Sequence, residues 1–511
     1  MITIISQKAA NTFHPASNPI NITVNSNNSG KCNFRYVCDI KINGTSVFKD
    51  KLFPDPATGY GFFQLNRIIQ DYIDNYITKT QPTVYFNVAA DGSAPDAVVS
   101  VQCVFGEEYD ASLNCSGTIS QYLGLATTNL FYAFNGAIDY ESFLTWNYTK
   151  YMANWSSTPA NTLFLTNSPR EVEVTFNEPY YLDFMSLIPP TIKTTSGVGY
   201  VAMRVLIKLK NGTVQTNLFD TTSMASRKRF RLAVGPLDLN RITGMSVIDD
   251  NIASYKVCLV WAMNNAPAKP SIVSVLSEEF TFKVVRPKTF STRLGFVGRL
   301  GSPESFTFYH RNMASYNITR STYNKLLQTN YNGSLTYQVG DRSASTYNIQ
   351  AVENHKVSTY CNRDMSEFLY EMWLSGDVWV YDLPKIMCFH TYTDGLGNLF
   401  FVLDTEDHGL NVGDFIFFTL MSGPDNTYPN PVKKVITYID GRNIKFGDLI
   451  EIIGPVTPIV DGYSGWLHKD TSWRKLPIVI SDNTIEVKQK MTKPIEYTLS
   501  YSAAYNKYTS I

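Results

Sequence analysis

Two Asn-Gly dipeptides, each set between extended-looking runs, constrain the fold of this chain more than any other sequence feature. Apolar residues alternate with polar ones from Val201 to Leu209, Asn211-Gly212 follows, and Thr213-Val214 starts a new run. Residues 41–47 repeat this arrangement around Asn43-Gly44. Asn-Gly favours the type I′ turn that joins two antiparallel strands. The sequence therefore predicts an antiparallel hairpin at both places.

Strand patterns outnumber helical patterns in the rest of the chain. Residues 497–503 alternate between apolar and polar, which is typical of a strand with one buried face. Helical spacing is restricted to residues 65–77, 140–155 and 364–373, the last opening with a predicted capping box at Asp364. We therefore predict a mostly β, multi-domain chain of antiparallel β-sandwich or immunoglobulin-like modules, with an inserted small β-barrel and a few short helices.

The 511 residues are enough for several buried cores, and proline-containing segments suggest where one module ends and another begins. We predict an extended N-terminal arm over 1–19, a β-rich domain with short helices over 20–167, a β-sandwich domain over 168–289, a β-rich C-terminal domain over 290–389 plus 473–511, and an inserted small β-barrel over 390–472.

The charges balance, apart from one local run of basic residues. Lysine plus arginine number 44, as do aspartate plus glutamate, so the chain lacks the basic surplus of proteins that wrap nucleic acid. Arg227, Lys228, Arg229 and Arg231 form a dense basic run, whose arginines would share one face of a strand. Two interpretations stay open. The run is a docking stripe for an acidic partner or passing DNA, or a solvated strand edge that discourages aggregation.

The seven cysteines are scattered and include no CxxC motif. This pattern disfavours a disulfide scaffold and a zinc ribbon, and we predict buried free thiols in a reducing compartment. No apolar run reaches the roughly 18 residues of a membrane span, and the N-terminus lacks the basic region of a signal peptide. We therefore expect no membrane segment and no export by the general secretory route.

Motifs that carry catalysis or bind cofactors are missing from the sequence. It contains no HExxH, GxSxG or Walker-type loop, and its six histidines never occur at i, i+4. Three adjacent acidic pairs are expected in turns or on solvated faces, because neighbours in a strand point to opposite sides: Glu107-Glu108, Asp249-Asp250 and Glu278-Glu279. We therefore predict a non-enzymatic protein with no catalytic residue, cofactor or metal ligand.

Several longer motifs resemble one known group of proteins. They are Arg293-Leu294-Gly295-Phe296-Val297-Gly298-Arg299-Leu300-Gly301 with Phe306-Thr307-Phe308, Ser375-Gly376-Asp377-Val378-Trp379-Val380, the N-terminal His14-Pro15-Ala16-Ser17-Asn18-Pro19-Ile20, and Asp407-His408-Gly409-Leu410-Asn411-Val412-Gly413-Asp414 in the inserted region. Their order resembles that of virion structural proteins of tailed phages that infect Bacteroidetes, including the crAss-like group.

The resemblance implies an assembly part of a virion, one copy in a ring, collar or barrel of the tail or neck, put together in the host bacterial cytoplasm. The implied partners are copies of itself, neighbouring tail, neck or portal proteins, and DNA passing through a channel. The predicted arm, with Ile4, Ile5 and Phe13, is expected to fold on a neighbouring copy. These three residues and the basic run are the candidate interface.

Two other function classes remain alternatives. A receptor- or glycan-binding tail protein, or a fibre-anchoring adaptor, would share this architecture, and glycan binding needs an exposed aromatic shelf in a groove. A polysaccharide depolymerase needs two carboxylates about 5 Å or 6.5–9.5 Å apart. The sequence shows no solenoid repeat that would favour such an enzyme.

Overall fold

The computed structural model describes the chain except for residues 74–85, 89–96, 113–114, 154–160, 176–177, 187–191, 195–196, 221–228, 242–251, 265–270, 286–290, 325–328, 332–333, 337–343, 383–385, 394–398, 404–411, 413–414, 423–431, 441–442, 453–463, 470–473, 482–486, 489–494 and 504–511. The described part is mostly β, which confirms the predicted fold class. It divides into two compact units. The first comprises Met1–Pro287, Val297–Glu304 and Leu383–Trp473, and the second comprises Lys288–Phe296, Ser305–Asp382 and Arg474–Ile511.

Two sheets pack around a common core at the beginning of the first unit. In chain order, the first elements are β1 (Ile2–Ser6), β2 (Phe13–Pro15), β3 (Asn21–Ser26), β4 (Cys32–Ile42), β5 (Thr45–Leu52), β6 (Gly61–Gln64), α1 (Asn66–Gln70), β7 (Phe86–Val88), β8 (Val98–Asp110), β9 (Ile119–Thr127) and β10 (Phe131–Phe134). All of these strands except β7 belong to the two sheets. One sheet has the order β1-β3-β6, and the other has the order β2-β10-β8-β4-β5, with β9 also paired to β8. Ile22, Tyr36 and Phe105 lie in the core that both sheets share.

The first unit continues with two further sheets. Its next elements are α2 (Tyr140–Leu144), a 3₁₀ turn (Tyr148–Tyr151), β11 (Met152–Ala153), β12 (Glu171–Val174), β13 (Tyr181–Ser186), β14 (Ile192–Thr194), β15 (Gly197–Leu209), β16 (Val214–Asp220), β17 (Arg229–Ala233), α3 (Pro236–Arg241), β18 (Ile252–Asn264), β19 (Ser271–Val275) and β20 (Phe280–Val284). The sheet orders are β11-β13-β17-β7 and β12-β20-β18-β15-β14, with β16 beside β15 and β19 beside β18.

The second unit is built on an eight-stranded sheet. In chain order, β21 (Thr292–Val297), β22 (Pro303–Phe308), β23 (Arg311–Asn324), β24 (Thr329–Tyr331), β25 (Ser334–Thr336), β26 (Ala344–Cys361), α4 (Arg363–Leu374) and β27 (Val378–Asp382) come first. The last strands of this sheet are β34 (Arg474–Ile480), β35 (Val487–Lys488) and β36 (Ile495–Ala503). The strands between β27 and β34 belong to the first unit: β28 (Ile386–Thr393), β29 (Leu399–Leu403), β30 (Phe415–Ser422), β31 (Val432–Asp440), β32 (Asn443–Ile452) and β33 (Ser464–Lys469).

Strands β28 to β33 form a closed barrel, while the eight-stranded sheet has the order β22-β21-β27-β34-β36-β26-β23, with β35 beside β36. Because β27 pairs directly with β34, the barrel is an insertion between two neighbouring strands of that sheet. The boundaries of the four predicted domains stay a prediction, since each compact unit contains more than one sheet.

Both Asn-Gly hairpins are confirmed. Ile42 pairs with Thr45 across the β4–β5 turn, where Asn43 and Gly44 have φ values of 51° and 81°. Strands β15 and β16 pair from Lys208↔Val214 onwards, but here only Gly212 has a positive φ, of 90°, so this turn is not of the predicted type I′. Glycine and asparagine tolerate this left-handed backbone better than other residues, so the two dipeptides fix where each hairpin turns.

The helices are shorter than their sequence patterns predict. Helix α1 spans Asn66–Gln70 rather than residues 65–77, and part of that predicted range lies outside the described residues. In the 140–155 pattern, α2 ends at Leu144 and a 3₁₀ turn follows. The longest described helix, α4, has 12 residues, and none of the described helices has the length and apolarity needed to cross a bilayer.

The predicted N-cap of α4 is wrong by two residues. The side chain of Asn362, not Asp364, caps the helix by accepting a hydrogen bond from the Met365 amide at 2.9 Å. Asp364 instead lies in the first turn, where a carboxylate still favours the positive end of the helix dipole. Phe368 and Met372 are buried against the sheet of the second unit, as the helical spacing predicts.

A disulfide joins Cys32 and Cys115, so the prediction of free thiols is wrong for this pair. The bond ties the start of β4 to the segment between β8 and β9 across a sequence separation of 83. Four other cysteines are confirmed as free and buried: Cys38, Cys103, Cys258 and Cys361. Since disulfides persist in oxidising surroundings, the expectation of a reducing compartment loses the support it drew from free thiols.

Candidate assembly interface

The second unit contains a long hairpin formed by β23 and β26. The two strands pair from Arg311↔Ser358 to Asn324↔Ala344. On its other side, β26 pairs with β36 only from Cys361 back to Asn354. Residues 316–324 and 344–353 therefore continue as a two-stranded segment past the last described β26–β36 pair. We call this segment the hairpin ribbon.

Apolar side chains are exposed on both faces of the hairpin ribbon. Tyr316 and Ile318 share one face because they are two residues apart, and the Tyr316 hydroxyl lies 3.2 Å from Glu353 Oε1 on the opposite strand. Val352 lies on the other face, opposite Asn317. Ile318 is 51% exposed and Val352 is 46% exposed. Exposed apolar side chains grouped in this way are typical of a surface that another molecule covers.

Strand β23 is also the last strand of its sheet. Among the described residues, no strand pairs with its outer side, so a 14-residue strand presents one row of backbone donors and acceptors. Proteins commonly protect such edges with lysine, proline, or a very short strand. Residues 312–319, between Arg311 and Arg320, contain neither a charge nor a proline. The edge is therefore well suited to accept a strand from another chain.

The predicted docking stripe is wrong for Arg229 and Arg231, which are buried inside the first unit. Both guanidinium groups bind Asp183, which lies on the neighbouring strand β13 and is fully buried. Arg229 Nη2 is 2.7 Å from Asp183 Oδ2, and Arg231 Nε is 2.9 Å from Oδ1. The two arginines do share one strand face, as predicted, but that face points inward. Arg227 and Lys228 lie outside the described residues.

The charges in this buried cluster compensate one another. Burial raises the pKa of Asp183, but the guanidinium groups of Arg231 and Arg229 outweigh it and hold this pKa below its usual value. Glu304 is buried as well and acts electrostatically on Arg229. The charges of two carboxylates therefore balance those of two guanidinium groups, so the buried cluster needs no partner from outside the first unit. A buried ion pair of this kind leaves no free charge for an acidic partner or for DNA.

The N-terminal residues do not form an extended arm, because the chain folds them into its own sheets. Strand β1 pairs antiparallel with β3, and β2 pairs in parallel with β10. Phe13 is fully buried and stacks on Tyr132 at 4.9 Å. Ile4 is partly buried against the core, whereas Ile5 is 51% exposed. Of the three predicted interface residues in this segment, only Ile5 presents a largely exposed side chain.

A second exposed edge, which the sequence patterns did not indicate, is strand β9. It pairs with β8 alone among the described residues, and Leu123 is 52% exposed. Ile119, Tyr122 and Leu125 are exposed on the same strand. The sequence does contain a signal, since residues 111–127, up to the end of β9, include no charged residue. A stretch of that length without charge is unusual for a surface segment.

A small polar cleft of about 230 Å³ lies in the first unit beside α2. Trp146 and Tyr151 line it and stack on each other at 5.3 Å. Asp139 and Arg299 line it too, with 3.6 Å between Asp139 Oδ2 and Arg299 Nη1. The Trp146 indole nitrogen donates a hydrogen bond to the Phe13 carbonyl at 2.9 Å. The cleft therefore combines aromatic rings with charged groups, which suits a small polar ligand.

One of the acidic pairs, Glu107-Glu108, lies in a different environment from the one that the sequence predicts. Glu107 and Glu108 are buried in β8, where Glu107 accepts a hydrogen bond from Ser26 and Glu108 binds Lys51 at 2.7 Å. Glu278 lies 2.5 Å from Arg170. Asp249 and Asp250 lie outside the described residues. The prediction of a turn or a solvated face is therefore wrong for Glu107-Glu108, whereas Glu279 is exposed in the segment between β19 and β20, as predicted.

Groups suited to nucleophilic or metal chemistry are not assembled in the described part of the chain. No cluster of three or more histidine, cysteine, aspartate or glutamate side chains occurs there. Burial raises the pKa of the Cys258 and Cys361 thiols to about 11. A hydrogen bond with Cys103, together with burial, raises the pKa of Cys38. These thiols stay protonated near neutral pH, which makes them weak nucleophiles.

No protein-family model matches the chain, and no curated protein is significantly similar to it.

Proposed function

We propose that the chain is a non-enzymatic structural component of a tailed-phage virion, forming part of an oligomeric ring, collar or barrel of the tail or neck. The observation that carries the proposal is the open edge of β23, which exposes apolar side chains and contains over residues 312–319 none of the charges or prolines that usually protect such an edge. The motif resemblance in the sequence supports the same conclusion.

A monomer that exposes a long strand edge is prone to pair with other chains, so the edge is useful only if another chain covers it. Neighbouring virion proteins and further copies of this chain are the partners that the proposal names. A location in the tail or neck, assembly in the host cytoplasm and a position around passing DNA belong to the same proposal.

The proposal is tested by placing charges on the open edge of β23 in the full chain. Met313 and Ile318 are 60% and 51% exposed on this strand, so Met313→Lys/Ile318→Lys adds the kind of charge that usually protects an open edge. We expect the natural chain to form oligomers in light-scattering measurements and the charged variant to dissociate while keeping its circular dichroism spectrum. A natural chain that stays monomeric, at high concentration and with neighbouring virion proteins present, would contradict the proposal.

A second candidate function is glycan binding by a tail protein, and the cleft beside α2 favours it. Its stacked Trp146 and Tyr151 rings, with Asp139 and Arg299 nearby, resemble the combination of rings and polar groups that holds a sugar. A glycan array probed with the full chain tests this function, with Lys150→Ala as a variant at the exposed rim of the cleft. Binding that Lys150→Ala weakens would support it, and an array without hits would exclude it.

A further inference from the structure

We infer that strand β23 of one copy pairs with strand β9 of the next copy, so that a sheet continues from one subunit into its neighbour. The inference rests on the proposed function, which it deepens by naming the two surfaces that meet. Both strands are sheet edges within the described residues. Each can offer its unpaired backbone N–H and C=O groups to the other.

The two edges match in length and in charge. Strand β9 has nine residues and no charged side chain. The uncharged part of β23 runs over residues 312–319, so it offers nearly the same length of backbone. Pairing two uncharged edges buries no unpaired charge, which would otherwise be costly. Pairing β23 of one copy with β23 of another is less favourable, because it brings together the positive charges of Arg311 and Arg320 from both copies.

The side chains on the two edges also match in character. Met313 and Ile318 on β23 are 60% and 51% exposed, while Leu123 on β9 is 52% exposed. Aromatic residues accompany them, with Tyr316 on one edge and Tyr122 on the other. Cross-strand contacts between apolar and aromatic side chains stabilise neighbouring strands. Pairing would therefore cover apolar surface on both copies at once.

Two different surfaces on one chain imply a head-to-tail contact. Each copy would donate β23 to one neighbour and receive β23 from another through β9. Contacts of this heterologous type generate a closed ring or an open filament, whereas an isologous contact stops at a dimer. The inferred pairing thus accounts for repeated copies without requiring a second kind of subunit.

Two single substitutions test the β23 edge and the β9 edge separately. Ile318→Lys places a charge on β23, and Leu123→Lys places one on β9. Both side chains are about half exposed, so we expect each variant to keep its fold. Each substitution should weaken assembly on the order of tenfold or more. Val214→Lys, at another exposed apolar position on strand β16, serves as the matched control and should assemble like the natural chain.

Mixing the two variants in equal amounts gives the decisive result. The Ile318→Lys chain keeps an intact β9, and the Leu123→Lys chain keeps an intact β23. We therefore expect mass photometry to show monomers for each variant alone and dimers, without larger rings, for the mixture. If Leu123→Lys assembles like the natural chain, the inferred pairing is wrong while the proposed function stands. If the natural chain itself never assembles, both are wrong.

Discussion

The carboxylate of Asp183 and the guanidinium group of Arg229 form a fully buried ion pair, with Oδ2 and Nη2 2.7 Å apart. Arg231 binds the other carboxylate oxygen from the same strand as Arg229. This arrangement places the part of the basic run that the structure describes inside the first unit. It links β13 to β17 through side chains as well as through backbone pairing.

We predict that Asp183→Asn strongly destabilises the first unit. Removing the carboxylate leaves two buried guanidinium groups without their shared partner, and breaking a buried pair in this way typically costs about 3–5 kcal/mol. Chemical denaturation followed by circular dichroism measures the loss. Lys283→Met is the control, because it breaks the solvent-exposed pair with Glu171 and should leave the unfolding midpoint unchanged. Equal stability of Asp183→Asn and the natural chain would contradict this role of the ion pair.

His14 is predicted to make the N-terminal part of the chain sensitive to acid. Burial, with a smaller contribution from the charge of Lys8, lowers the pKa of His14 from 6.5 to about 4. The unfolded chain therefore binds a proton below pH 6.5 that the folded chain does not bind until about pH 4. Stability from this residue is present above pH 6.5 and is lost as the pH falls towards 4, by about 3 kcal/mol at most.

Denaturation at about pH 7 and about pH 5 measures this effect. His14→Gln should reduce the difference in unfolding free energy between the two conditions. The matched control is His310→Gln, which replaces an exposed histidine in the second unit. If the His14→Gln variant shows the same pH dependence of the unfolding free energy as the natural chain, the burial of a neutral His14 is not the cause of the loss of stability in acid.

Reduction of the Cys32–Cys115 disulfide is predicted to destabilise the two sheets that pack at the beginning of the first unit. The bond closes a long loop, because its cysteines are 83 residues apart in sequence. Opening such a loop increases the entropy of the unfolded chain and typically costs about 2–4 kcal/mol. Thermal unfolding with and without reductant tests this. The double variant Cys32→Ser/Cys115→Ser should unfold at the same temperature as the reduced natural chain, with or without reductant. If reductant lowers the unfolding temperature of this variant as well, the destabilisation does not come from this disulfide.

Local patterns predicted the β architecture well, because short stretches of sequence determine it. The Asn43-Gly44 and Asn211-Gly212 turns need only their own backbone preferences. The alternation of apolar and polar residues over 497–503 predicts one buried face, and Tyr497, Leu499 and Tyr501 are indeed buried. These features depend on neighbouring residues, which a sequence displays directly.

Features that depend on distant partners were not predictable in the same way. Asp183 lies 46 residues from Arg229, so nothing near the basic run indicates that it faces the interior. The pairing of Cys32 with Cys115 likewise requires β4 and β8 to be neighbours in a sheet. The hairpin ribbon exists because β26 pairs over a longer range with β23 than with β36, and a single sequence does not show how far two strands pair.

Electron cryo-microscopy of the assembled phage particle tests the central claim most directly. The proposal predicts several copies of this chain around the tail or neck axis, with the edge of β23 in each copy covered by a neighbouring chain. A particle that lacks the chain, or one in which every β23 edge remains exposed to solvent, would contradict it.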